Sequence, residues 1–266
     1  MTIGKEASDW DQFQTAWLYQ MRFYLRTYRF LVPVILGLFF GSITIAFILY
    51  ATPSVVAASG SPGTLIGGLL GFVGIIGAIG AAFLGGDATS MDTGSATGYY
   101  TLVQPVRRVV LLLGRYAAAY VLLLASVLII YAFLIFDSIW VYNAASPWIP
   151  ASIGLLMLAV FAYLSLAFAL SVLVDRPVYG IVLTFIVVFV GQSIISSLLM
   201  SYGIEPWFLA SYGAGVVSLI FSYPWPHFTA GMWQPTLIEG ISILTLYAVI
   251  GLGLALGIFN RQEVKT

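Results

Sequence analysis

Very few residues in this chain could do bond-making chemistry. There is one histidine, His227, and no cysteine, so thiolate ligands, disulfides and cysteine nucleophiles are excluded. A lone histidine without cysteine makes no usual zinc site, and nothing specifies a serine partner for His227 at membrane depth. The Walker A spacing G-x-x-x-x-G-K-[ST] does not occur, so a P-loop for ATP is missing. Of the acidic residues, Asp137 and Glu239 fall at the outer ends of apolar runs, and Asp175-Arg176 fills a short turn. No carboxylate is placed for a proton relay. The reading is of a chain that is not catalytic by itself, binds no cofactor and holds no metal.

What remains is polar groups inside apolar runs. Gly68, Gly71, Gly74, Gly77 and Gly80 recur every third residue, a spacing of small residues that lets helices approach closely in lipid. Gln192, Ser193, Ser196 and Ser197 cluster in a later run. Both sets read either as helix glue or as the lining of a path, with Gly71, Gly74, Gly77, Gln192, Ser193 and Ser196 as the candidate path or dimer face.

Those groups sit in a chain built for lipid. Of its 266 residues, 61% are hydrophobic and 8% charged. A soluble domain carries about 25% charged residues. Net charge is zero, which gives no electrostatic footprint for nucleic acid. About 20 apolar residues cross the hydrocarbon as a helix. Six runs qualify, at 31–51, 64–86, 109–136, 152–174, 178–200 and 237–259. The expected fold is therefore all-α: an integral membrane protein with a six-span domain over 31–259.

Positive charge orients it. With six spans, all ten Lys and Arg fall on one side, which the positive-inside rule makes the cytoplasm. Both termini, the 87–108 loop and the 260–266 tail are then cytosolic, in the cell membrane. The 1–30 segment lacks the apolar stretch of a signal peptide. Within it, residues 9–30 are expected to form an amphipathic interfacial helix against membrane lipid. Trp10, Phe13, Trp17, Met21, Tyr24 and Tyr28 make one stripe, and Arg22, Arg26 and Arg29 another. The connection 201–236 is rich in aromatic residues and is expected to lie in or dip into the outer interface, where short re-entrant helices are allowed only if protein buries them.

The loop 87–108 is the longest cytosolic piece. Polar and Gly-rich at first, it ends Tyr99-Tyr100-Thr101-Leu102-Val103-Gln104-Pro105-Val106-Arg107-Arg108. Asp92-Thr93-Gly94 precedes that phrase, and Leu112-Leu113-Gly114-Arg115 opens the third span. With these motifs, six spans, a short charged turn between spans four and five and a long outer loop before span six, the chain resembles the membrane subunit of type 2 ABC exporters. The resemblance covers nearly the whole chain, with Arg107 standing where serine is common and Asp92 where glutamate is. It implies a permease that couples, through the loop after span two, to a separate ABC ATPase subunit carrying the ATP and Mg. It implies Asp92, Gly94, Tyr99, Tyr100, Gln104, Pro105, Arg107 and Arg108 as the ATPase-coupling set. It also implies a second permease copy or homologue, so that two six-span halves enclose the path. A non-ABC secondary transporter and a membrane anchor for a cytosolic complex are the competing readings.

Overall fold

The computed structural model describes residues 8–50, 60–90, 107–229 and 232–261. An N-terminal helix α1 (Asp9–Arg26) leads into α2 (Leu31–Tyr50). Then come α3 (Pro62–Leu69) and α4 (Gly71–Gly85), α5 (Arg108–Tyr142), and α6 (Ile149–Ser171). The next rod is α7 (Pro177–Thr184), a π-helical stretch (Phe185–Gly191) and α8 (Gln192–Ser201). Short helices α9 (Ala210–Ala214) and α10 (Val216–Leu219) and a hairpin of β1 (Phe228–Thr229) and β2 (Met232–Trp233) precede α11 (Leu237–Arg261).

Six helical rods are long and apolar enough to cross a membrane. They are Leu31–Tyr50, Pro62–Gly85, Arg108–Tyr142, Ile149–Ser171, Pro177–Ser201 and Leu237–Arg261. Each matches an expected span. The third is longer than expected because nothing between Phe136 and Tyr142 breaks a helix, and Asn143 ends it in the left-handed conformation with φ 51°. Asp137 therefore lies on the helix and is buried, rather than in an outer loop. A carboxylate expected at the outer end of an apolar run is thus buried among the helices.

The long connection before span six is not a solvated linker. Leu209, Ala210, Tyr212, Val216, Val217 and Ile220 are buried. The α10 backbone is stitched to span four, where Ser152 Oγ donates to the Val217 carbonyl at 2.6 Å. Span two begins against the same piece: a Cβ on Gly67 would stand 2.9 Å from the Ser218 carbonyl oxygen. The connection thus dips back among the spans, and its two-stranded hairpin is the one departure from an all-helical fold among the described residues. One end of the bundle carries Arg29, Arg107, Arg176 and Arg261, and the other carries this aromatic connection.

Helix α1 begins on a capping box, with Ser8 Oγ accepting from the Asp11 amide and the Asp11 carboxylate accepting from the Ser8 amide. It stops at Arg26, four residues earlier than the stripes implied, because Tyr28 turns the chain with φ 58°. The aromatic stripe is accordingly split. Tyr24 is buried, Phe13, Trp17 and Met21 are half-buried, and Trp10 and Tyr28 are exposed. Its inward side packs on span three. A Cβ on Gly114 would lie 2.8 Å from Ala16 Cβ and 3.1 Å from the Trp17 amide nitrogen, so only glycine allows this approach.

Candidate functional site: loop roots and a membrane-depth cavity

The last turn of span two leaves orphan carbonyls, as every helix end does. Here, and in the turn that follows, backbone groups are met by side chains from three other elements. The Tyr24 hydroxyl of α1 donates to the Leu84 carbonyl. Arg115 Nη1 of span three donates to the Ala88 carbonyl at 2.9 Å. Ser171 Oγ of span four accepts from the Thr89 amide at 3.1 Å and shares a 2.7 Å hydrogen bond with Thr89 Oγ1. Asp87, with its side chain 1% exposed, forms an ion pair with Arg29. Span five closes the fifth side, since a Cβ on Gly86 would sit 2.9 Å from Ile181 Cα. Residues 87–90, expected as the start of a polar loop, are therefore buried and fixed. Burial also pushes the Tyr24 hydroxyl up to about 12, so it remains a donor at neutral pH, and it lowers the Arg29 guanidinium.

The far root of the loop is tied to the same helix. Arg107 donates from its backbone amide to Gln12 Oε1 at 3.2 Å and from Nη1 to Asp9 Oδ2 at 2.7 Å. One end of α1 thus holds the exit from the loop, and the other end holds its entry. Arg29 belongs to this clamp and not to a stripe with Arg22 and Arg26, which are exposed. Arg108 is the first residue of span three. Asp92, Gly94, Tyr99, Tyr100, Gln104 and Pro105 lie outside the described residues.

The second feature is a cavity of about 240 Å³ between spans two, four and five and the dipping connection. Gly71, Gly74 and Gly77 line it from span two, Tyr163 from span four, and Val188 and Ser193 from span five. A neighbouring recess of about 440 Å³ shares Ser193, Ser211 and Ser218 with it and adds Ser196, Ser197 and Trp233. Together they run from the middle of span two toward the aromatic end, with a row of serines along one wall. Among the described residues, no charged one lines either space.

Both flanking rods are irregular where they wall the cavity. Span two is interrupted at Leu70, between α3 and α4. Span five is π-helical from Phe185 to Gly191, ending two residues before Ser193. Such π stretches are rare and frequent at functional sites.

The glycine row does not form one face. At about 100° per residue, each step of three falls about 60° short of a turn, so the row winds around the helix. A Cβ on Gly68, Gly71 or Gly74 would meet nothing within 4 Å, whereas one on Gly80 would press on Leu123 and Pro33. Its first half opens to the cavity and surface, and its last member packs inside the bundle. Gln192, expected in the path, stands behind the wall: it is buried, and its Oε1 accepts from the Ser211 amide at 2.8 Å. It is the bracket that seats α9.

Sequence reasoning missed Asp87, Thr89 and Ser171 as fixing points. The available signal was a carboxylate directly after the apolar run 64–86, at the start of the expected cytosolic loop. It also missed that Glu205, His227 and Glu239 meet. Compared with known proteins, the chain matches no protein-family model and no curated sequence.

Proposed function

We propose that this chain is the permease subunit of an ATP-driven ABC exporter of the type 2 kind. Its cytosolic loop after span two would engage a separate ATPase that carries ATP and Mg. The observation that carries this reading is the double root. A permease without a nucleotide site must receive force through a stiff contact, and a stiff contact needs rigid roots. Entry to the 91–106 segment is held by Tyr24, Arg29, Arg115 and Ser171, and its exit by Asp9 and Gln12. A displacement of the loop would pass through α1 into spans two and three together.

The cavity supports the same reading. It lies between spans two and five, it is apolar with serines, and its glycines leave room that no side chain among the described residues fills. A second copy of the permease, or a homologue, would complete the enclosure, and the contents suit an amphiphile better than an ion. The basic end would face the cytoplasm of a cell membrane, with both chain termini on that side. Exposed Arg22, Arg26, Leu18 and Leu25 of α1 would lie at headgroup level, where a helix with cations beside apolar groups settles.

The test is recovery of the detergent-solubilised chain from its native membrane, followed by an ATPase assay of what accompanies it. An ATP-hydrolysing subunit is expected, and replacing Pro105, Arg107 and Arg108 together is expected to release it. A chain recovered alone under mild conditions would refute the permease reading in favour of a secondary transporter or a membrane anchor.

A further inference from the structure

Two carboxylates and an imidazole far apart in sequence meet at the aromatic end of the bundle. Glu205 follows span five, His227 precedes β1, and Glu239 stands in the first turn of span six. One oxygen or nitrogen from each lies within 4.8 Å of the other two. The Glu205 carboxylate is 3.5 Å from His227 Nε2, and the Glu239 carboxylate is 3.8 Å from His227 Nδ1. Both separations exceed the usual N–H···O range of about 2.7–3.2 Å. His227 Nδ1 is buried and has no hydrogen-bond partner. Two carboxylates therefore converge on an imidazole that neither satisfies, and the cluster lacks positive charge when the histidine is neutral.

We propose that Glu205, His227 and Glu239 form a binding site for a divalent transition cation of the zinc class. Imidazole with carboxylate oxygens is the donor set such borderline cations take. Tetrahedral ligands at about 2.0–2.1 Å from the ion stand about 3.4 Å apart. The ion would take one of the two ring nitrogens, and the three donor atoms, up to 4.8 Å from one another, are open by about an ångström, which side-chain rotation closes.

The surroundings are those of oriented ligands. Tyr212 donates its hydroxyl to Glu205 Oε1 at 2.8 Å, leaving Oε2 toward the histidine. The Thr236 amide donates to Glu239 Oε2 at 2.8 Å, so the cap of span six fixes that carboxylate. Trp233 stands edge-on to the His227 ring at 5.3 Å between centroids. Trp233, Gln234 and Pro235 also line the recess beside Ser196. An ion here would pin the end of span five, the hairpin and the start of span six over that recess. The site is independent of any ATPase contact, and its test does not use transport.

The experiment is a cobalt(II) chloride titration of the detergent-solubilised full chain, carrying no polyhistidine tag and first stripped with chelator. Visible absorbance reports the coordination sphere, and tryptophan fluorescence, to which Trp233 beside the His227 ring contributes, reports proximity. The expected result is saturable binding of one ion per chain, with tryptophan quenching and competition by zinc. His227→Ala and Glu205→Gln should each weaken it by about tenfold or more, and Tyr212→Phe by less. No saturable signal in the wild-type chain would overturn the proposal, whatever the variants do. So would a titration unchanged by His227→Ala. A tryptophan signal that follows pH with no effect of cobalt would also overturn it, and would assign the cluster to a protonated histidine bridging two carboxylates.

Discussion

The hydroxyl of Tyr24 donates to the carbonyl of Leu84, so the N-terminal helix caps the end of span two across 60 residues of sequence. Removing that donor leaves a buried carbonyl without its partner. Tyr24→Phe is expected to lower stability by about 1–3 kcal/mol, read as a fall in melting temperature in detergent. The same residue has a pH signature. Its folded-state value is pushed up to about 12 by burial, above the ordinary value near 10. The folded chain then holds a proton that the unfolded chain releases. Stability should be unaffected by this group below about pH 10 and fall as pH rises from there through about 12. Tyr24→Phe should show a shallower alkaline loss than the wild type.

The Arg29–Asp87 pair sets a second expectation. Asp87 is almost wholly buried, and Arg29 is its ion-pair partner. Arg29→Ala would leave a buried carboxylate uncompensated, which costs about 3–5 kcal/mol. Replacing both, as Arg29→Met with Asp87→Asn, should cost less than Arg29→Ala alone. Equal losses in the single and double variants would mean the pair contributes nothing.

The glycines of span two separate packing from path. Gly74→Ala introduces a Cβ that meets nothing within 4 Å, so stability should hold or rise by up to about 1 kcal/mol through helix propensity. Gly80→Ala presses on Leu123 and Pro33 and should destabilise by about 1–3 kcal/mol. Under the exporter reading, Gly74→Leu would fill the cavity and depress transport while the chain still folds. Thermal melts of the purified variants check the first two outcomes, and efflux from vesicles checks the third.

These contrasts also mark what the sequence could tell. The six spans were legible because lipid demands about 20 apolar residues per crossing, and the runs supply them. The third span was read short because Asp137 looked like a boundary, but it is buried on the helix as it continues to Tyr142. The glycine row looked like a face because its spacing is regular, yet three residues are not a helical turn. Ser193 and Gly71, picked out as small or polar groups in otherwise apolar rods, both line one cavity. The clamp on the loop was not legible. It joins Tyr24 to Leu84 and Thr89 to Ser171, pairings of ordinary residues set by tertiary packing alone. The same holds for Glu205, His227 and Glu239, which a hairpin and a helix cap bring together.

Gln192 gives the last test, because the structure gives this expected path residue a bracing contact. Its amide oxygen accepts from the Ser211 amide, and the side chain is buried between span five and α9. Gln192→Leu keeps the bulk and removes the acceptor. The Ser211 amide is then unsatisfied, at about 1–3 kcal/mol. That loss falls locally on the dipping connection, since α9 is only 5 residues long and has no side-chain cap of its own. Limited proteolysis is the discriminating measurement. Cleavage within 201–236 should become faster in Gln192→Leu than in the wild type, while the spans remain protected. If cleavage is unchanged but transport falls, Gln192 acts in the path after all, and the bracket assignment is wrong.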